Sequence, residues 1–152
     1  MYSTFKFLHV LGVVLLLGNV TVSAVWKVFA NRTANPVIVE FSQRLVTYTD
    51  WTLTLGGVLL VAVGGYGMAW AAGMDLLVGW LLWGQLLFLA SGLVWLMRLV
   101  PIQIEQAAMA RLLLDHSEVS AEYRALSRRW IAWGVVATAP LVVATYVMVT
   151  KV

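Results

Sequence analysis

The chain has 152 residues, 62% of them hydrophobic and 11% charged, against roughly 25% charged in an ordinary soluble domain. It therefore reads as membrane-embedded, and having no Cys it is excluded from disulfide frameworks, thiolate catalysis and Cys-ligated zinc or iron–sulfur clusters. The net charge is +3, but the ten Lys and Arg are scattered between apolar runs and form no basic stripe, so nucleic acid is not an expected partner.

Apolar runs of about 20 residues, the length that crosses a ~30 Å hydrocarbon core as helix, occur at Phe7–Trp26, Trp51–Ala72, Leu76–Met97 and Trp130–Val149. The expected fold is all-α: a four-helix transmembrane bundle formed by residues 1–152 as one domain. The runs are continuous rather than alternating, which argues against a transmembrane barrel. Lys6, the first run and Val22-Ser23-Ala24 also resemble a cleavable signal peptide, and charge placement decides between the two readings. Connector 27–50 carries Lys27, Arg32 and Arg44, connector 98–129 carries Arg98, Arg111, Arg124, Arg128 and Arg129, and connector 73–75 carries no Lys or Arg. By the positive-inside rule the two basic connectors are cytoplasmic, both termini face outward and the first run stays as a permanent helix. The Trp and Tyr residues near the span ends form interfacial belts consistent with that placement.

The second and third helices are expected to continue into the cytoplasm. Asn35-Pro36 is a helix start, and a helix from Pro36 to Ala72 would run ~55 Å at 1.5 Å per residue. In its cytoplasmic part Val37, Phe41, Leu45 and Tyr48 repeat as an apolar face, while Glu40 and Arg44 form an i, i+4 pair. Ile104, Ala108 and Leu112 extend the third helix past Pro101 in the same way. At the opposite end Gly73 suits a helix C-cap and Asp75 the next N-cap. Pro140 falls inside the fourth span and is expected to kink it.

Within lipid, close packing relies on small residues. Gly65, Ala69 and Gly73 form such a seam on the second helix, with Gly57 on nearly the same face, and Gly134 and Thr138 form another on the fourth. The first seam serves intramolecular packing or, alternatively, a homo-oligomer. Asp50, Arg98 and Lys27 gather at the inner boundary, where Asp50 is expected to pair with Arg98 or Lys27. Asn19, Ser23 and Lys27, four residues apart, make a polar seam on the first helix, and Thr52 and Gln85 offer further interhelical hydrogen bonds. His9 is read as an interfacial or packing residue, with haem b ligation as the alternative and Met68 as the companion soft ligand; the second histidine, His116, lies in the connector at the other end. No hydrolase, phosphate-binding or metalloprotease motif occurs, so neither a catalytic residue nor a metal site is assigned.

The stretches Leu17-Gly18-Asn19 through Trp26-Lys27, Asn35-Pro36, Arg44-Leu45-Val46, Asp50, Gly64-Gly65-Tyr66, and Trp80 through Arg98-Leu99-Val100-Pro101 resemble bacterial predicted integral-membrane proteins of domain-of-unknown-function family 2269. That resemblance implies four inner-membrane helices and no established activity. Lys6-Phe7-Leu8-His9 is more distantly similar to the first helix of copper-resistance D and HemJ-like proteins, which implies a haem or copper role for His9 alone. The chain departs from the HemJ pattern after that helix. The expected function is that of a non-catalytic inner-membrane protein that binds a partner, lipid or small ligand, with a haem-binding redox protein using His9 as the alternative.

Overall fold

The computed structural model describes residues 1–115 and 118–151, and His116 lies outside them. Four long helices, α1 (Tyr2–Arg32), α2 (Pro36–Ala71), α3 (Gly79–Asp115) and α4 (Ala121–Thr150), are each long and apolar enough to cross a membrane. No strand occurs among the described residues. The Asn35 side chain accepts from the Val37 and Ile38 amides at the start of α2, with Pro36 as the first helical residue, the cap that a Pro-led helix needs. Glu40 and Arg44 form their i, i+4 pair at 3.9 Å. At the far end of α2, Gly73 adopts φ +60°, and the Met74 amide donates to the Ala69 carbonyl at 2.9 Å, closing the helix as a left-handed glycine permits.

Asp75 does not cap α3. Its carboxylate accepts from the Leu77 amide two residues on, making a local turn, and the helix begins only at Gly79 after Val78. Pro140 is accommodated inside α4, which is assigned as one continuous helix. Both α2 and α3 contain a π-helical turn, at Asp50–Thr54 and Trp95–Leu99 respectively. One turn begins at Asp50 and the other contains Arg98, and such turns in other proteins frequently mark functional sites.

The helices associate as two pairs. In the first, α1 and α2 pack backbone to backbone: a Cβ at Gly12 would lie 2.6 Å from the Val61 nitrogen, and one at Gly64 would lie 2.4 Å from the His9 nitrogen. In the second, Ser91 on α3 donates to the Ala137 carbonyl of α4 at 2.6 Å, and Gly84 leaves room for Met148. The pairs meet at the end that carries residues 33–35 and 118–120. There, Val39, Ala110, Leu113, Val119 and Tyr123 form one apolar cluster and Val46, Leu99, Trp130 and Ala137 another. Over the other half they stay apart, since Leu55–Ala71 approaches neither α3 nor α4 closely among the described residues.

The apolar face of the α2 extension is mostly turned outward, with Leu45 half-buried. Val37, Phe41 and Tyr48 point outward, while Val39, Ser42, Gln43 and Val46 are buried. On α3 Ile104 and Leu112 are likewise exposed, whereas Gln103 and Gln106 are buried. The inward face of both extensions thus mixes apolar Val39, Val46 and Ala110 with polar Ser42, Gln43, Gln103 and Gln106.

Candidate functional site

Polar side chains form a column inside the joined end of the bundle. Asn19, Ser23 and Lys27 share one buried face of α1, as their four-residue spacing requires. Asn19 Nδ2 donates to Asp50 Oδ1 at 3.1 Å and to Thr54 Oγ1 at 2.9 Å, and the Thr54 hydroxyl donates to Asp50 Oδ1 at 3.0 Å. Ser23 satisfies its hydroxyl on its own helix, donating to the Val20 carbonyl.

Two turns from Asn19, the Lys27 ammonium is 1% exposed as a residue and donates to Gln43 Oε1. It lies 4.9 Å from the Trp130 ring centroid and 5.8 Å from that of Tyr123, distances at which aromatic faces attract a cation. Tyr123 also donates its hydroxyl to Gln43. Asn31 Nδ2 donates to Ser127 Oγ at 2.6 Å, adding a second α1–α4 link. A buried ammonium needs both hydrogen bonds and compensating charge or π density, and this pocket supplies an amide oxygen and two rings.

The structure brings Asn19 to Asp50 but does not join Asp50 to Arg98. No ion pair within 4.0 Å links Asp50 to Lys27 or Arg98 among the described residues. Arg98, within its π-helical turn, lies instead over the Trp133 ring of α4 at 5.0 Å. Thr52 and Gln85 bond to backbone near themselves, Thr52 to Tyr48 and Gln85 to Leu76 and Leu81, so neither links helices.

His9 donates from Nδ1 to the Val61 carbonyl of α2 at 2.9 Å, and Gly65 lies against its ring. Met68 belongs to the level of Phe5, whose carbonyl and ring oppose Gly64 and Gly67, one turn away from His9. The α2 seam is thus occupied within the chain. Gly65 faces His9 and Ala69 is buried, while Gly73 forms the turn. Gly73 is exposed, with nothing within 4 Å of its Cβ position. Gly134, expected to form a seam on α4, has nothing within 4 Å of its Cβ position.

Between the helix pairs lies a cavity of about 240 Å³ lined from all four helices, with Leu16, Val58, Phe88, Leu96 and Leu141 among its walls. Thr54 and Trp95 stand at its edge. The next turn along α2 and α3 opens a smaller chamber of about 20 Å³, bordered by Asp50, Trp51, Trp95 and Gln103. Trp95 borders both spaces, and its ring meets Trp51 edge to face at 6.1 Å. The chamber exceeds the ~10–15 Å³ that one water requires. The apolar slot and the smaller chamber, whose walls include Asp50 and Gln103, thus share Trp95 as a common wall.

Sequence reasoning located Asp50, Asn19 and Lys27 but missed Thr54, Gln43, Gln103 and Tyr123. Gln43, Asp50 and Thr54 recur at intervals of seven and four residues on α2, a helical-face signal present in the sequence. Neither a curated protein nor a solved structure matches the chain. The family model described as a predicted integral membrane protein (DUF2269) matches residues 3–152, so the chain belongs to the DUF2269 family.

Proposed function

We propose that this integral membrane protein is non-catalytic and holds a slender amphipathic ligand in the groove between its two helix pairs. The observation that carries the reading is the cavity of about 240 Å³ walled by all four helices and ending beside the Asp50 group. Its size lies below the roughly 300–1,000 Å³ of drug-sized ligand sites, which favours a single apolar chain. We assign residues 1–152 to one domain in a bacterial inner membrane, as the family resemblance implies, and place both termini outside and the joined end in the cytoplasm on the strength of the Lys and Arg distribution.

Native mass spectrometry of protein released from lipid nanodiscs tests the reading. Gly92 borders the cavity and its Cβ position has open space around it, as has that of exposed Gly18 on α1. Wild type and Gly18→Phe should retain one bound amphiphile and Gly92→Phe should lose it. Equal retention by all three proteins contradicts the proposal.

A second reading, haem ligation by His9, draws support from one contact. With Nδ1–H donated to the Val61 carbonyl, neutral His9 presents an unprotonated Nε2, the orientation typical of a metal-bound imidazole. A Soret band in the purified protein that disappears in His9→Ala supports it, and a colourless preparation from haem-replete cells counts against it.

A further inference from the structure

The polar end of the groove specifies more than amphipathic character. Asp50 Oδ1 accepts from Asn19 and Thr54 and Gln103 stands close to the same carboxyl, and a carboxylate, with about four lone-pair sites, still has capacity for a further donor. Trp95 borders the same chamber, and its indole N–H is buried without any acceptor. A buried donor left unsatisfied is costly, and each such group in a folded protein calls for a partner. The two demands are complementary: the occupant must accept from an indole and donate to a carboxylate.

Only some head groups do both. An ammonium donates but has no lone pair to offer Trp95, and a carboxylate accepts from Trp95 but meets like charge at Asp50. A hydroxyl has one donor and two acceptor lone pairs, and the chamber of about 20 Å³ has room for little more than one oxygen. We infer that the groove selects a neutral, single-chain amphiphile ending in a hydroxyl, the hydroxyl lodged between Trp95 and Asp50 and the chain running past Thr54 into the apolar cavity. This rests on the groove being a ligand site and assigns the ligand's head chemistry.

The test uses the delipidated full-length protein in detergent and three probes with the same chain: oleyl alcohol, oleylamine and oleate. Competition monitored by native mass spectrometry should rank the alcohol above each charged probe by roughly tenfold, about the discrimination one well-placed polar contact gives. Trp95→Phe should abolish the preference over the amine. Asp50→Asn, which removes the repelling charge, should raise oleate toward the alcohol. Circular dichroism melts establish that each variant is folded, and the Trp95→Phe arm stands if Asp50→Asn does not fold. Preference for a charged probe, equal binding of all three, or an unchanged ranking in Trp95→Phe overturns the hydroxyl assignment while leaving the groove as a ligand site. Failure of all three probes to bind, with a water satisfying Trp95, overturns both readings.

Discussion

Replacing Gly64 with Ala drives a methyl into the backbone of α1. The added Cβ would stand 2.4 Å from the His9 nitrogen, 2.7 Å from the His9 Cα and 2.7 Å from the Phe5 carbonyl oxygen. Carbon atoms in ordinary contact sit ~3.5–4.0 Å apart, so α1 and α2 must separate by about 1 Å at this level. The opposing atoms are all backbone, and no rotamer change relieves the contact. Overpacking costs about 1–3 kcal/mol, and the upper part of that range applies. The helix-propensity gain of Gly→Ala, about 1 kcal/mol, offsets part of it, leaving Gly64→Ala destabilised by about 1–2 kcal/mol. Gly56 provides the control, because nothing lies within 4 Å of its Cβ position. Gly56→Ala should keep the propensity gain and be stabilised by up to about 1 kcal/mol. Thermal or SDS unfolding in detergent, followed by circular dichroism, should show shifts of opposite sign. A Gly64→Ala protein as stable as Gly56→Ala would refute the backbone-to-backbone packing of α1 on α2.

Three further predictions concern the polar column and the orientation. In a double-mutant cycle, Asp50→Asn and Lys27→Gln should couple by about 0.5–3 kcal/mol, as contacts within one network do, whereas Asp50→Asn and Arg98→Gln should add. Equal coupling to Arg98 would restore the ion pair expected from the sequence. Asn19→Leu removes the amide that donates to both Asp50 and Thr54 and should destabilise the protein by about 1–3 kcal/mol, more than Thr21→Val, because Thr21 bonds only to its own helix; unfolding titrations check the order. The chain contains no Cys, so Arg32→Cys and Asp75→Cys each introduce a single thiol. A membrane-impermeant maleimide added to intact cells should label the second and spare the first, and the reverse pattern contradicts the assigned orientation.

Much of the framework was legible because it depends on local properties. Apolar runs marked the four helices, Asn35-Pro36 marked the start of α2, and the four-residue spacing of Asn19, Ser23 and Lys27 put them on one face. The partners of that face were not legible. Gln43 and Tyr123 reach Lys27 from other helices, and spacing along one helix carries no information about which neighbour arrives or at what rotation. The same limit explains why the apolar repeat at Val37, Phe41, Leu45 and Tyr48 did not reveal which face of the extension packs inward. An apolar stripe shows that a helix has a face but not which neighbour meets it, and here Val39 and Val46 pack inward beside Ser42 and Gln43. The π-helical turns at Asp50–Thr54 and Trp95–Leu99 have no distinctive local composition, and the gap between the helix pairs arises from contacts that the second half of α2 does not make. The groove is therefore a property of assembly, although Asp50 at its end stood out as a lone carboxylate beside an apolar span.

The groove's occupancy is tested most directly by photolabelling in the membrane. A single-chain alcohol carrying a diazirine midway along its chain is incorporated into vesicles with the protein, irradiated, and its adducts mapped by peptide mass spectrometry. The account predicts labelling concentrated on cavity-lining residues such as Leu16, Val58, Phe88 and Leu96, and reduced there in Gly92→Phe. Labelling confined to outward-facing residues such as Leu59, Val63 and Val135, and unchanged in Gly92→Phe, would contradict it.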